Sequence, residues 1–122
     1  MTNHLDLGLN GEALAENFLE RQGLDIVERR VRYACGEIDL VAKNGDEWVF
    51  VEVKTRKSVS GGSAAEAFSP AKARRMRRAV ETYVYKNNLD GEAMRCDFVA
   101  IDIAPDGTPE ISHFPGEITW RD

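Results

Sequence analysis

Two neighbouring stretches of the chain alternate so that acids gather on one side of a sheet and aliphatic residues on the other. Side chains of a strand point to opposite faces in turn. In Glu37-Ile38-Asp39-Leu40-Val41-Ala42, therefore, Glu37, Asp39 and Val41 share one side, and Ile38, Leu40 and Ala42 share the other. The stretch Trp48-Val49-Phe50-Val51-Glu52-Val53-Lys54 divides the same way, with Trp48, Phe50, Glu52 and Lys54 opposed to Val49, Val51 and Val53. Between them lies Lys43-Asn44-Gly45-Asp46-Glu47. Asn-Gly is a strong hairpin signal, because both residues tolerate the positive φ of a type I′ turn. A tight Asn44-Gly45 turn predicts Glu37 opposite Glu52, whereas a loop over residues 44–47 predicts Asp39 opposite Glu52. Both registers leave Glu37, Asp39, Glu52 and Lys54 on one face; a three-residue loop would reverse the parity. Ile38, Leu40, Val49, Val51 and Val53 are expected to anchor against a helix behind the acids.

The flanking elements follow from the same kind of reading. Asn10 is placed to cap a helix over residues 11–22, with Glu12 and Glu16 in early turns where the dipole favours anions. Its inward stripe is Leu14, Ala15, Phe18, Leu19 and Gln22, and Glu12 sits at the edge of that stripe, able to look along the sheet. A strand is predicted over residues 25–33. After Lys54 comes a polar, Gly-rich connection over residues 55–63, read as mobile. Pro70 opens a second helix to about Asn87, burying Ala73, Met76, Val80, Tyr83 and Val84, with Arg74, Arg75 and Arg78 pointing away. Residues 97–103 read as a central strand, Pro105-Asp106-Gly107-Thr108 as a turn, and residues 110–114 as a short last strand. Trp48 and Phe50 are read as core beneath the first helix.

Composition narrows the class. A chain of 122 residues with 43% hydrophobic content fits one soluble domain over residues 1–122. No apolar run approaches the roughly 20 residues that cross a bilayer, and the N-terminus lacks a basic region followed by an apolar one, so a cytoplasmic location is expected with no membrane partner. Cys35 and Cys96 lack histidines at ligand spacing, which argues for free buried thiols over zinc or a disulfide. His4 and His113 are too few and too distant for a histidine nuclease.

The net charge of −5 hides a segregation. Residues 53–86 carry 2 acids and 9 bases, a balance of +7, while each flank carries −6. Arg74, Arg75, Arg77 and Arg78 form a run that is either a solvated helix face or a phosphate footprint. For the acids the ordinary reading is also simple: Glu52 and Lys54 as an exposed ion pair would be worth under about 1 kcal/mol. Three or four acids on one face repel one another, however, and are hard to explain without a cation. Such a face, with an ammonium beside it, suits a divalent metal and phosphodiester hydrolysis.

These residues also carry a resemblance. Gly11-Glu12 with Ala15, the block Gly36-Glu37-Ile38-Asp39-Leu40-Val41-Ala42, the block Val49-Phe50-Val51-Glu52-Val53-Lys54-Thr55-Arg56, Lys72, and Arg95 with Asp97-Phe98-Val99-Ala100 resemble the YraN family of predicted nucleases. That family is placed within the PD-(D/E)XK, restriction-endonuclease-like superfamily, near the Holliday junction resolvases. The resemblance implies an α/β fold with a three-layer core, its central mixed sheet flanked by helices. It also implies Asp39 and Glu52 as metal ligands with the backbone carbonyl of Val53, and Mg²⁺ or Mn²⁺ as the ion. Lys54 would stand at the attacking water and Glu12 would complete the metal shell. Glu37 and Asp97 would be accessory. Arg56, Lys57, Lys72, Arg74, Arg75 and Arg78 are expected to contact nucleic acid. The resemblance favours DNA, branched or damaged, over RNA, and resolvase-like relatives suggest a homodimer. The rival expectation is a module that binds nucleic acid in repair or recombination without cutting it.

Overall fold

The computed structural model describes residues 4–57, 64–65 and 68–118, with side chains from residue 10 onward. Helix α1 (His4–Arg21) leads into a hairpin series β1 (Asp25–Tyr33), β2 (Gly36–Asn44) and β3 (Glu47–Lys57); then come helix α2 (Pro70–Lys86), β4 (Met94–Ile103) and β5 (Pro109–Ile118). The five strands form one sheet in the order β1-β2-β3-β4-β5. Only the β3–β4 pair is parallel, because α2 carries the chain back across the sheet between them.

The two helices cover opposite faces and give the three layers expected. Ala15 and Leu19 of α1 pack on Leu40, Ala42, Val49, Val51, Val99 and Ile101. Met76, Ala79, Val80 and Tyr83 of α2 pack on Val31, Ile38, Val41, Phe50, Cys96 and Ile118. The aliphatic face therefore belongs to α1 and the face bearing the acids to α2. Trp48 and Phe50 lie under α2, with Tyr83 edge-on to both rings, and not under α1 as expected. Parity on β3 was legible in the chain; which helix lands on which face depends on the crossover.

Local chemistry explains the element ends. Ser69 accepts the N–H of Lys72 at 3.2 Å and Pro70 occupies the first turn, so α2 starts where its cap and ring dictate. It stops where Asn88 turns to φ 55° and Leu89 N–H reaches back to the Val84 carbonyl. The β2–β3 turn is Gly45-Asp46, with Gly45 at φ 64° and Asp46 outside the positive-φ region, the pattern of a type II′ hairpin. Asn44 pairs with Glu47, so the structure takes the register that carries Asp39 towards Glu52.

Three expectations are corrected. Helix α1 begins at His4, so Asn10 is interior and Gly11 is no helix start. Gly11 is buried against β3 instead: a Cβ there would meet Thr55 Oγ1 at 1.8 Å. Glu12 and Glu16 consequently sit mid-helix, away from the favourable end of the dipole. Second, β3 runs on through Lys57, so Thr55, Arg56 and Lys57 are strand; residues 58–63 of the expected connection lie outside the described residues, as does Trp120. Third, Ile38 packs with Val31 and Val41 on the α2 side. Arg30, between the Arg29–Leu40 and Val31–Ile38 pairs, has φ 52°, and the ladder to β3 ends at Leu40–Val51, so β2 twists beyond Leu40. Strand β5 also continues past Phe114 to Ile118 through an irregularity at Gly116, φ 65°. Among the described residues no helix is long and apolar enough to cross a membrane, a statement that does not bear on β-barrels.

Candidate active site

Where β2 and β3 part, Asp39 fills the gap. Its Oδ2 accepts the backbone N–H of Val53 at 2.7 Å, taking the place of the next ladder bond. Asp39 is 9% exposed, and its carboxyl is hydrogen-bonded to that of Glu52. Burial is the main cause that lifts Asp39 above the usual carboxylate range; the Val53 N–H and the Glu52 carboxyl oppose it, and the charges of Glu12 and Glu37 reinforce it. Burial also leads for Glu52, followed by the negative charge of Asp39, while Lys72 works in the opposite sense. Burial and the Asp39 charge push Glu52 well above the usual carboxylate range.

A recess of about 560 Å³ opens above this pair. The α2 N-terminal half supplies Lys72, Arg75 and Met76; the end of β1 supplies Tyr33 and the start of β2 Gly36; β3 supplies Lys54; and Phe68 closes one side. Two glycines make the geometry possible. Gly11 brings α1 onto β3 behind Lys54, and Gly36 lies under the Arg75 carbonyl, which a Cβ would approach to 2.4 Å.

The expected site residues are not all treated alike. Glu12, Glu37, Asp39, Glu52, Val53, Lys54, Lys72 and Arg75 all line the recess. Glu12, however, is ion-paired with Arg30 Nε at 3.1 Å, and Glu37 with Arg32 Nε at 3.4 Å. Among the described residues no set of three His, Cys, Asp or Glu side chains is assembled for a metal. Arg74, Arg75 and Arg78 are all exposed, as expected, and of the three Arg75 also lines the recess. Arg56 and Lys57 continue β3 beyond the recess. Asp97 is on the other face: it pairs with Val51, and its carboxylate takes Arg95 Nε at 3.0 Å, His113 Nε2 at 2.8 Å and the Gly116 N–H at 2.8 Å.

Two groups were invisible in the chain. His113 was given no role, yet it bonds Asp97 and meets the Phe18 ring edge-on at 5.8 Å. Tyr33 lines the recess from the last position of β1, and Phe68 from a connection where no periodicity marks an inward side chain.

The donor set fits a hard divalent cation in one form. Two carboxylates and a neighbouring peptide carbonyl provide oxygen only, and Mg²⁺ commonly takes one or two carboxylates, leaving its other positions to water and phosphate. A buried and a half-buried carboxyl facing each other are the polar groups such an ion would separate and satisfy.

Comparison with known proteins adds a family. The model described as "Uncharacterised protein family UPF0102" matches residues 11–101, a span that contains every expected site residue and leaves out β5 with His113. A UPF0102 protein of Shewanella sediminis is 50% identical over 95 residues, covering 78% of this chain and 80% of the relative. One of Syntrophotalea carbinolica is 41% identical over 112 residues, 92% of this chain and 90% of the relative. One of Rhodococcus jostii is 42% identical over 113 residues, 93% and 96% respectively.

Proposed function

The chain belongs to the UPF0102 family, and on that premise we propose that its acid-floored recess is the active centre of a Mg²⁺-dependent endonuclease. The substrate is DNA, recognised by structure, branched or damaged, and the enzyme is cytoplasmic. One observation carries the proposal: buried Asp39 and half-buried Glu52, on adjacent strands, meet face to face with Lys54 and Lys72 in the same recess. A structural ion pair would have put opposite charges together in the floor; here like groups meet.

Asp39 and Glu52 would hold the ion, with the Val53 carbonyl as a third oxygen. When bound, Mg²⁺ or Mn²⁺ supplies positive charge to the phosphate under attack and lowers the pKa of water. Lys54 orients the attacking water. Lys72, already close enough to act on Glu52, and Arg75 at the rim neutralise the phosphate backbone as it enters. Glu12 is held by Arg30, so its part is to deepen the negative field at Asp39. Among the described residues no helix or strand is arranged to read base edges, which is why structure outranks sequence. A homodimer, twice the 13.6 kDa chain, accompanies the resolvase resemblance.

A second reading has one observation in its favour: Glu12 and Glu37 are engaged by arginines, leaving two carboxylates for a metal. A module that binds nucleic acid without cutting would look the same. Incubation with branched, single-stranded and duplex DNAs separates the two. Cleavage is expected only with Mg²⁺ or Mn²⁺, and Glu52→Ala should lower it by at least about 10³-fold without unfolding the protein. Activity that survives this substitution removes the mechanism.

A further inference from the structure

The recess is larger than an ion and its waters need. At about 560 Å³ it lies within the roughly 300–1,000 Å³ of small-molecule sites. Its walls are of three kinds. The floor is the carboxylate pair, the rim is Arg32, Lys54, Lys72 and Arg75, and one side is aromatic. Phe68 ends a row of three nearly parallel rings: it stacks on Phe98 with centroids 4.6 Å apart and planes 25° apart, and Phe98 stacks on Phe114 at 6.0 Å and 22°. The row is anchored in the fold, since Phe98 is buried in β4 and Phe114 is its cross-strand partner. Half-buried Phe68 is the outermost ring of the row, and it lines the recess together with Phe98 behind it.

We propose that this recess seats one unpaired nucleotide, its base lying on Phe68 and its phosphate drawn between Lys54 and Lys72 towards the floor. The nucleic acids it accepts are therefore single-stranded, or carry an unpaired nucleotide, in preference to continuous duplex. The phosphate end rests on the hydrolase reading; the base end does not.

The argument is one of access. A base in a duplex is stacked on both sides and paired at its edge, so a continuous helix offers the recess only its backbone. A base can then lie on Phe68 inside the recess only if its nucleotide leaves the stack. Stacking on an aromatic ring compensates for that departure and tolerates any base, because every base has a π-face. The simpler account makes Phe68 only a plug over Phe98. It predicts no dependence on the base.

Fluorescence anisotropy on the full chain, in EDTA so that nothing is cut, tests the seat with three probes: a short oligothymidylate, the same strand fully paired, and the same strand with abasic sites in place of bases. The single strand is expected to bind at least about tenfold tighter than the other two. Phe68→Leu, which keeps apolar volume over Phe98, should remove that margin while leaving thermal unfolding near wild type. Equal affinity for all three probes overturns the seat, and because that comparison uses the wild-type chain it stands even if the variant misfolds. An unchanged margin in a folded Phe68→Leu protein also overturns it. The two readings fail separately. Base-dependent binding without metal-dependent cleavage keeps the seat and removes the hydrolase; cleavage as rapid on paired as on unpaired DNA does the reverse.

Discussion

Asp97 and Asp39 are buried carboxyl groups on opposite faces of the same sheet, Asp39 facing half-buried Glu52, and the fold treats them in opposite ways. Asp97 is fully buried and saturated: Arg95, His113 and the Gly116 N–H all point at it, and Arg95 continues to Glu47 at 3.0 Å. This network ties β3, β4 and β5 together. Asp39 and Glu52 instead face each other, with one backbone N–H between them. Burial alone therefore does not mark a functional acid. The identity of its partners does.

Removing the saturated acid should have the largest effect. Asp97→Ala strands Arg95 and His113 below the surface, and breaking a buried charge network costs about 3–5 kcal/mol. Urea unfolding is expected to show that loss with little change in metal response. A loss under about 1 kcal/mol would mean that water already reaches the network, and the comparison would fail.

The opposed pair should respond with the other sign. Glu52→Gln replaces a carboxyl whose proton affinity rises on folding with an amide that needs no proton, so the metal-free protein is expected to gain about 1–2 kcal/mol at neutral pH. The same substitution should erase the rise in melting temperature expected of the wild type with Mn²⁺. Destabilisation in the absence of metal would show that the Asp39–Glu52 hydrogen bond outweighs the cost of bringing the two carboxyls together.

The smallest effect connects the two regions through Cys96. Burial first, then the negative charge of neighbouring Asp97, pushes this thiol up to about 12 from 9.0. The folded chain thus holds a proton that the unfolded chain releases as pH rises through that window, so this thiol's contribution to stability should fall between those values and be flat below them. Iodoacetamide at pH 8 is expected to modify half-buried Cys35 and to spare Cys96 until the protein unfolds. Equal labelling in the native state would place Cys96 nearer solvent than the fold does.

The acid face was legible because strand parity is a local rule: Asp39, Glu52 and Lys54 line one recess as the alternation required. The start of α2 was equally legible, from Ser69 and Pro70. Parity failed at Ile38, where Arg30 on the neighbouring strand takes a left-handed conformation and twists β2. It failed to warn of Arg30 and Arg32, which claim Glu12 and Glu37. Asp97 read as an accessory to the site because neighbours in sequence do not reveal which side of a central strand is which.

What the sequence determined by itself were properties set within a few residues: the alternation of β2 and β3, the cap of α2, the segregation of charge. Tertiary structure alone decided that α2 covers the acids, that Phe68 reaches the recess, and that His113 satisfies Asp97. The physical reason is that a side chain's face follows from its own backbone, whereas its partner is brought by a distant part of the chain whose arrival depends on packing the whole sheet.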